Sequence, residues 1–330
     1  MKVKVFSKSD VKKLVIMEQA IAGVREAYIQ LSSKNAQMPL RTSISVKKNM
    51  GIALYMPAYL PEIDALGIKI VTVFPENIKK GLPALQAVIV VTETDTGRPA
   101  ALMDGTYLTA LRTGAASGVA TELLSRNDSS VAAIIGAGIQ GRTQLEAVCT
   151  VRPIKKVWVY DSVQTAAKTY TEEMSVYGSP IPSDIVVASS PAQAVKDADV
   201  ICTATPSTSP VFEDKDLKPG VHINAVGAYT EEMQEIPPET VARARVSVDS
   251  ISACLEEAGD LIKPLKKGLI SETHIAGEIG DIASGKIPGR ESNDEVTFFK
   301  SVGLAIQDVA VAELVLQNGK KKGIGKEVEL

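Results

Sequence analysis

The chain has 330 residues, 45% hydrophobic and 23% charged, and its 36 basic and 39 acidic side chains leave a formal net charge of −3. This composition is typical of a globular protein of about two domains, and it excludes a disordered chain or a disulfide-stapled mini-protein. A nucleic-acid partner would require a strongly basic domain, and a membrane helix would require ~18 uninterrupted apolar residues, so we expect neither. The first residues lack the apolar core of a signal peptide, and we expect a cytoplasmic protein.

One helix followed by a sheet is predicted for the first part of the chain. Val11, Ile21 and Tyr28 are among the apolar residues that recur there at three- and four-residue spacing, which predicts a single helix over the first forty residues. Strand patterns follow at residues 40–46, 51–56, 66–74, 86–93 and 99–103, separated by proline and glycine turns. Because no helix separates these strands, we expect a largely antiparallel sheet.

From residue 106 onward, helices and strands alternate. A helix of small residues is predicted over 106–125, and strands are predicted at residues 131–135, 157–160, 185–187, 200–203, 221–225 and 245–248. Such alternation is typical of a doubly wound parallel sheet. A last, buried helix is predicted over 295–317, followed by a loosely held tail over 319–330. The fold class is therefore α/β, with a doubly wound parallel Rossmann sheet (residues 116–304) and a mainly antiparallel α+β domain (residues 1–115 with 305–330).

A glycine-rich turn after the first parallel strand matches the dinucleotide-binding pattern. It reads Gly136-Ala137-Gly138-Ile139-Gln140-Gly141 and opens a helix directly after an apolar strand. Gly136 allows the tight turn, Gly138 lets the backbone approach a pyrophosphate, and Gly141 lets the helix pack against the strand. The helix N-terminus presents free N–H groups to the phosphates.

Asp161 indicates which dinucleotide is bound. It ends the second parallel strand, where a carboxylate accepts hydrogen bonds from the adenosine ribose hydroxyls and repels a 2′-phosphate. Ser162, Val163 and Gln164 follow, so no arginine is at hand to bind such a phosphate. The sequence therefore predicts NAD(H) rather than NADP(H).

Three basic residues of the first domain lie where burial disfavours a charge. Lys69 interrupts an apolar strand, Arg41 shares a strand face with serines, and Arg112 lies in a helix of small residues. With no acid adjacent in sequence, these cations indicate a pocket for an anionic substrate, most simply a carboxylate. The alternatives are that Arg41 is an exposed residue of an edge strand and that Arg112 caps a carbonyl or pairs with a distant acid. Lys69 can also transfer protons, since the pKa of a desolvated lysine falls readily. His222 and His274 are interpreted as structural, and with three scattered cysteines we expect no metal site.

With these residues in place, the sequence resembles the ornithine cyclodeaminase/mu-crystallin family, which includes alanine dehydrogenases and cyclic imine reductases. The likeness covers nearly the whole chain and is carried by MPLR at residues 38–41, GIKIV at 67–71, LTALRTGA at 108–115, the glycine turn at 136–141, GDIASGKIPGR at 280–290 and TFFKSVG at 297–303.

The resemblance implies a homodimer whose first domain binds the substrate and forms the dimer interface. It places Arg41, Lys69 and Arg112 at the family's carboxylate-binding and proton-handling positions, and Thr113 beside the cofactor phosphates. It also implies that two loops approach the nicotinamide ribose and ring. These loops contain Thr203, Ala204, Thr205, Val226 and Gly227.

Two departures from the cyclodeaminase members concern the substrate. Those members place an aspartate where Tyr229 stands here. They also carry a glutamate shortly before the pair that corresponds to Met56-Pro57, and this chain has no glutamate there. Both losses argue against ornithine, because its second amino group needs an anionic partner. Tyr229 is a candidate to complete the substrate pocket, and a nearby acid could still take the aspartate's place: Asp214, Glu231 or Glu232.

The sequence therefore predicts an NAD(H)-dependent oxidoreductase that interconverts an α-imino acid, or an α-keto acid plus ammonia, with an amino acid. Arg41 and Arg112 would bind the carboxylate, and Lys69 would protonate or polarise the imine nitrogen while the cofactor supplies the hydride. One alternative is ornithine cyclodeamination to proline and ammonia. The other is a binding protein of the crystallin type that holds the nucleotide without turnover.

Overall fold

The structure is a computed structural model that describes residues 1–330. Its strands are β1 (Lys2–Phe6), β2 (Thr42–Val46), β3 (Gly51–Leu60), β4 (Ala65–Val73), β5 (Leu85–Thr92), β6 (Pro99–Asp104), β7 (Val131–Ile135), β8 (Lys156–Tyr160), β9 (Ile185–Val187), β10 (Val200–Thr203), β11 (His222–Ala225), β12 (Arg245–Val248), β13 (Ile275–Glu278), β14 (Thr297–Lys300) and β15 (Lys326–Glu329). Its helices are α1 (Lys8–Leu14), α2 (Met17–Ser32), α3 (Gly105–Leu124), α4 (Ile139–Val151), α5 (Gln164–Ser175), α6 (Pro191–Val195), α7 (Pro238–Arg243), α8 (Ile251–Glu257), α9 (Gly259–Lys266), α10 (Ile279–Ala283) and α11 (Ala305–Lys322). No helix combines the length and the apolar character needed to span a membrane.

The chain forms two units, Met1–Arg112 with Leu304–Leu330 (the first unit) and Thr113–Gly303 (the second unit). The first unit contains a seven-stranded sheet in the order β15-β1-β6-β5-β4-β3-β2. All its neighbours are antiparallel except β1 and β6. α11 packs on β3, β4, β5 and α2. Because side chains alternate across a strand, one face of β4 is buried and includes Lys69.

The second unit contains an eight-stranded sheet in the order β13-β12-β14-β11-β10-β7-β8-β9, and every neighbouring pair is parallel. The predicted fold class, a parallel Rossmann sheet with a mainly antiparallel second sheet, is confirmed. His222 is buried on β11, with ring nitrogens bonded to Thr297 (2.9 Å) and Asn224 (3.1 Å). Burial lowers the pKa of His222 to about 3, so its ring is neutral and structural.

Three predicted elements are wrong. The first forty residues form β1, α1 and α2 instead of one helix, and β1 pairs with β6 and β15. The predicted helix 295–317 begins only at Ala305, because the preceding apolar run forms β14 between β11 and β12. The tail 319–330 is ordered as the end of α11 and as β15, which closes the edge of the sheet beside β1.

Gly114 is required in the second unit because α3 comes very close to α4 there. A Cβ added to Gly114 would lie 2.4 Å from the carbonyl oxygen of Thr143, a backbone atom that cannot move aside. We expect Gly114→Ala to lower the free energy of unfolding by about 1–3 kcal/mol through overpacking, measured by urea denaturation. Gly23→Ala in α2 is the matched control, since its Cβ would meet only the end of the flexible Leu314 side chain. Equal stability of the two variants would contradict the close approach.

Candidate functional site

A buried ion-pair group lies in the first unit, where β4, α3 and α11 each contribute a charged side chain. Lys69 Nζ is 2.6 Å from Asp308 Oδ2, and Arg112 Nε donates to Asp308 Oδ1 at 2.9 Å. Asp308 has no solvent exposure, and Lys69 and Arg112 are 1% and 6% exposed. The structure thus brings two of the predicted substrate residues to one carboxylate.

The first turn of α11 orients this group. Gln307 precedes Asp308 and accepts a hydrogen bond from Arg112 Nη1 and one from the backbone N–H of Leu304 at 3.1 Å. Its amide nitrogen donates to the hydroxyl of Tyr28 on α2. The acid also lies in the first turn of a long helix, where the helix dipole stabilises a negative charge. Gln307 therefore orients Arg112, and the helix dipole stabilises the charge of Asp308.

Burial and charge together set the protonation of Lys69. Desolvation is the largest influence and lowers its pKa, Asp308 raises it, and the charges of Arg112 and Arg41 lower it again. The result is a pKa of about 8 in place of 10.5. A lysine with a pKa near neutral pH is suited to proton transfer, because it is protonated at pH 7 and yet releases its proton readily.

Asp308 is an acid that the sequence analysis did not identify, and it gives Arg112 the distant partner that was one of the alternatives for that residue. Arg112 and Asp308 are 196 residues apart in the chain, so no local pattern could pair them. The available signal was the pair Gln307-Asp308 inside an otherwise apolar helix. Arg41 is half-buried just before β2, and its charge acts on Lys69. Lys69 and Arg112 against the single acid Asp308 leave the group with a net positive charge, which favours an anionic ligand.

In the second unit, the glycine turn has the backbone that a dinucleotide requires. Gly136 has a φ of +103°, and an added Cβ would lie 2.6 Å from the carbonyl oxygen of Ala204. At Gly141, an added Cβ would lie 2.2 Å from the carbonyl oxygen of Gly136. At Gly138 it would meet only open space, and Ile139 at the first residue of α4 is exposed. A pyrophosphate can therefore reach the N–H groups at this helix N-terminus.

Two buried oxygens near this turn support the fit of a dinucleotide. The side-chain oxygens of Gln140 and Thr203 have no hydrogen-bond partner. Gln140 lies in the first turn of α4, and Thr203 ends β10, the strand beside β7. Because buried polar atoms normally have a partner, these oxygens are available to the hydroxyl or amide groups of a bound ligand.

Asp161 connects the end of β8 to the glycine turn. Its Oδ2 accepts a hydrogen bond from the backbone N–H of Ala137 at 2.8 Å, and its Oδ1 accepts one from Val163 at 2.8 Å. A carboxylate has about four acceptor positions, so the side chain retains capacity for two ribose hydroxyls. Thr113 lies at the start of the second unit, and its carbonyl accepts a hydrogen bond from Gln144 of α4 at 3.2 Å.

A buried glutamate missed by the sequence analysis joins the two loops that follow β10 and β11. Glu235 accepts hydrogen bonds from the backbone N–H groups of Thr205 at 2.6 Å and Gly227 at 2.7 Å. Its place in an irregular segment after β11 gives no periodic signal. The loop residues Thr203, Ala204, Thr205, Val226 and Gly227 thus lie together at the carboxyl ends of adjacent parallel strands.

The acids considered near Tyr229 are engaged at the surface. Tyr229 itself is 41% exposed. Glu231 pairs with Lys266, and Asp214 accepts from Arg243 at 2.8 Å. Glu232 is exposed as well. None of the three is a buried carboxylate that could replace the missing aspartate.

Comparison with known proteins agrees with these features. A Delta(1)-pyrroline-2-carboxylate reductase of Bacillus cereus is 40% identical over 327 residues, covering 98% of this chain and 99% of the relative. The structure of the Thermococcus litoralis Delta(1)-pyrroline-2-carboxylate reductase in complex with NADH and L-proline matches with a TM-score of 0.95 and 45% identity, covering 99% of this chain and 100% of that one. An archaeal alanine dehydrogenase dimer with bound NAD matches with a TM-score of 0.92 and 36% identity over the full length of both chains.

The family model described as the ornithine cyclodeaminase/mu-crystallin family matches residues 1–323. This range contains both the buried Lys69–Asp308–Arg112 group and the glycine turn. The chain therefore belongs to the ornithine cyclodeaminase/mu-crystallin family.

Proposed function

We propose that this protein is an NADH-dependent imine reductase that converts Δ1-pyrroline-2-carboxylate to L-proline. The observation that carries the proposal is the buried group of Lys69, Arg112 and Asp308, which combines excess positive charge with a lysine pKa of about 8. A cyclic α-imino acid has a carboxylate and an adjacent nitrogen that requires a proton, and this group suits both. The reductases of Bacillus cereus and Thermococcus litoralis support the choice of substrate.

The residues of the first unit bind the substrate and supply the proton. Arg112 uses one N–H on Asp308 and one on Gln307, and since a guanidinium has five donors it retains others for the substrate carboxylate. Arg41 adds a second positive charge for the same carboxylate. The Lys69 ammonium donates its proton to the imine nitrogen, while Asp308 stabilises the ammonium until that transfer.

The residues of the second unit bind the nucleotide. The glycine turn binds the pyrophosphate with Thr113 beside it, and Asp161 accepts from the adenosine ribose. The loops after β10 and β11 hold the nicotinamide half. NADH, when bound, supplies the hydride that adds to the imine carbon. With one hydride on carbon and one proton on nitrogen, the imine becomes the secondary amine of the product.

Alanine dehydrogenation is the second candidate, favoured by the 36% identity to the archaeal alanine dehydrogenase. Pyruvate and ammonia give an α-imino acid with the same carboxylate and nitrogen, so the same residues would act on it. Cyclodeamination is disfavoured because Tyr229 replaces the aspartate of the cyclodeaminase members and the nearby acids are paired at the surface. A binding protein without turnover would have no need for a lysine with a lowered pKa.

We also propose that the protein is cytoplasmic and that it forms a homodimer through the first unit. One sheet face of this unit packs against α11, while Val88 and Leu102 on the other face are 40% and 37% exposed. Ile68, Ile70 and Val90 on that face are only partly buried. A contiguous aliphatic sheet face of this kind is typical of an interface between subunits. The three cysteines are free and buried, as is usual in a reducing compartment.

The purified protein should oxidise NADH when given Δ1-pyrroline-2-carboxylate and should release L-proline in equal amount. The assay follows NADH absorbance and identifies the product by chiral chromatography, with pyruvate plus ammonia as the parallel substrate. A faster reaction with pyruvate and ammonia would assign the protein to alanine metabolism. Tight NADH binding without turnover of either substrate would refute the reductase.

Loss of Lys69 should abolish proton transfer and leave nucleotide binding intact. We expect Lys69→Met to lower kcat about 10²–10⁴-fold, the usual contribution of a general acid, with the Kd for NADH unchanged. Binding is measured by energy transfer from Trp158, the single tryptophan, to NADH. Lys79→Met is the matched control, because Lys79 is an exposed lysine paired with an acid of the same unit. A fully active Lys69→Met would remove this residue from the mechanism.

The protonation of Lys69 also predicts a pH profile for reduction. Only the ammonium form donates a proton, so kcat/KM for the imine should fall as the pH rises through about 8, the pKa of Lys69. Asp308 raises this pKa, and Asp308→Asn should therefore move the falling limb to lower pH. Stopped-flow rates between pH 6 and pH 10 (a range of about two units on either side) measure both profiles. A limb at the same pH in both proteins would belong to another group.

Asp161 should determine the choice between NADH and NADPH. Asp161→Asn removes the charge that repels a 2′-phosphate and retains one oxygen for the ribose. We expect the ratio of the Kd for NADPH to that for NADH to fall by about tenfold, equivalent to about 1.4 kcal/mol. Asp184→Asn, an exposed position just before β9, is the control and should leave the ratio unchanged. An unchanged ratio in Asp161→Asn would contradict the ribose contact.

A further inference from the structure

The carboxylate of Glu235 bridges two loops with all four of its hydrogen bonds. Oε1 accepts from the backbone N–H of Thr205 at 2.6 Å and from its hydroxyl at 2.9 Å. Oε2 accepts from the backbone N–H groups of Gly227 at 2.7 Å and Ala228 at 3.2 Å. One oxygen thus serves the loop of residues 203–205, and the other serves the loop of residues 226–228.

A second carboxylate, that of Asp260, accepts hydrogen bonds from the backbone at Glu235 and is itself paired with Lys300. Asp260 Oδ1 accepts hydrogen bonds from the backbone N–H groups of Glu235 at 2.7 Å and Ile236 at 2.9 Å. Asp260 Oδ2 pairs with Lys300 Nζ at 2.9 Å. Lys300 lies on β14 opposite Ala225, the last residue of β11. Glu235, Asp260 and Lys300 all have no solvent exposure.

The charge of Glu235 is part of this arrangement. Burial is the largest influence and raises the pKa of Glu235 above its usual value, while the charge of Lys300 and the hydrogen bonds from Thr205 oppose that rise. Burial alone would lower the pKa of Lys300, but Asp260 and Glu235 together raise it, so the ammonium persists. Four N–H and O–H donors point at Glu235, and these hydrogen bonds favour the ionised carboxylate, which accepts without donating. Burying three ionisable groups carries a large desolvation penalty, so packing alone does not account for their presence.

The two loops also touch each other directly. A Cβ added to Gly227 would lie 2.3 Å from the carbonyl oxygen of Thr205 and 2.5 Å from Glu235 Oε1. Only glycine therefore fits at residue 227 while the Glu235 carboxylate bridges the two loops. The spacing between the loops is set by one buried carboxylate that both share.

We propose that Glu235 is a positioning residue that holds these two loops at the spacing required by the nicotinamide riboside half of the cofactor. The inference rests on the proposed function, in which these loops bind that half. It follows that Glu235 acts on nicotinamide binding and has no part in binding the adenosine diphosphate half, which belongs to the glycine turn and Asp161. The two halves of the cofactor therefore give different responses to a change at residue 235.

Glu235→Gln tests the proposal, because the amide keeps the shape of the side chain and turns one acceptor into a donor. The N–H groups of one loop then face the N–H donor of the new amide side chain and have no acceptor there. Isothermal titration calorimetry of the full-length protein should give a Kd for NADH at least about tenfold higher, the usual effect of losing hydrogen bonds to a charged group. The Kd for ADP-ribose, which lacks nicotinamide, should be unchanged. Glu231→Gln, an exposed glutamate of the same segment, should change neither value.

The possible results separate failure of the proposal from failure of the proposed function. Equal Kd values for NADH in Glu235→Gln and the wild type would overturn the proposal, and so would a parallel loss of NADH and ADP-ribose, which indicates general damage to the unit. Failure of the wild type to bind either ligand would instead refute the proposed function. If Glu235→Gln does not fold, Thr205→Val decides, because it removes the 2.9 Å bond to Oε1 and, besides that, only the 3.3 Å bond that the hydroxyl accepts from the backbone N–H of Ser207 within the same loop. It should raise the Kd for NADH about threefold and leave ADP-ribose unaffected, and an unchanged Kd for NADH would reject the inference.

Discussion

The chemistry proposed for this protein depends on one buried carboxylate, that of Asp308, which contacts two cations. A charge without solvent is tolerated in a protein interior only when paired and hydrogen-bonded. Asp308 meets this requirement through Lys69 and Arg112, and the two cations in turn are stabilised by Asp308. Burial lowers the pKa of Lys69 and Asp308 opposes that effect. The balance is a pKa of about 8 for the lysine. The same contact therefore keeps Asp308 paired in the interior and sets the pKa of the lysine that we propose as the proton donor.

The second unit uses the same kind of pairing for a different purpose. In the first unit two cations contact one acid, so the excess charge is positive and favours an anionic ligand. In the second unit two acids, Asp260 in contact with Lys300 and Glu235 near it, outnumber the single cation. That excess is directed at backbone N–H groups, four of which belong to Thr205, Gly227, Glu235 and Ile236. In the proposed function the first group binds a ligand through its charge, whereas the second group holds the backbone through hydrogen bonds.

What could be predicted from the sequence follows from the range of each interaction. The strands β7 to β12 are short apolar runs bounded by turns, and Lys69 is a single charge in an alternating strand, so both are visible in a local window. The pairing of Arg112 with Asp308 spans 196 residues and has no local signature. β14 was mistaken for helix because all four of its residues are buried and its apolar run has no period. β15 was missed because Lys326–Glu329 is highly charged and becomes a strand only by pairing with β1.

Gly67 explains how a strand and a helix bring Lys69 and Asp308 into contact. It precedes Lys69 by two residues and shares its face of β4. A Cβ there would lie 2.7 Å from the carbonyl oxygen of Val90 on β5 and 3.5 Å from the side chain of Val309 on α11. Without a side chain at Gly67, α11 lies close to the sheet at this point, and Asp308, next to Val309, comes within 2.6 Å of Lys69. Even a methyl group at residue 67 would clash with the β5 backbone at Val90, to which β4 is paired, whereas its contact with Val309 on α11 would be an ordinary one. Because the acid and the base both lie on regular, packed elements and not on loops, their geometry is fixed before a substrate arrives.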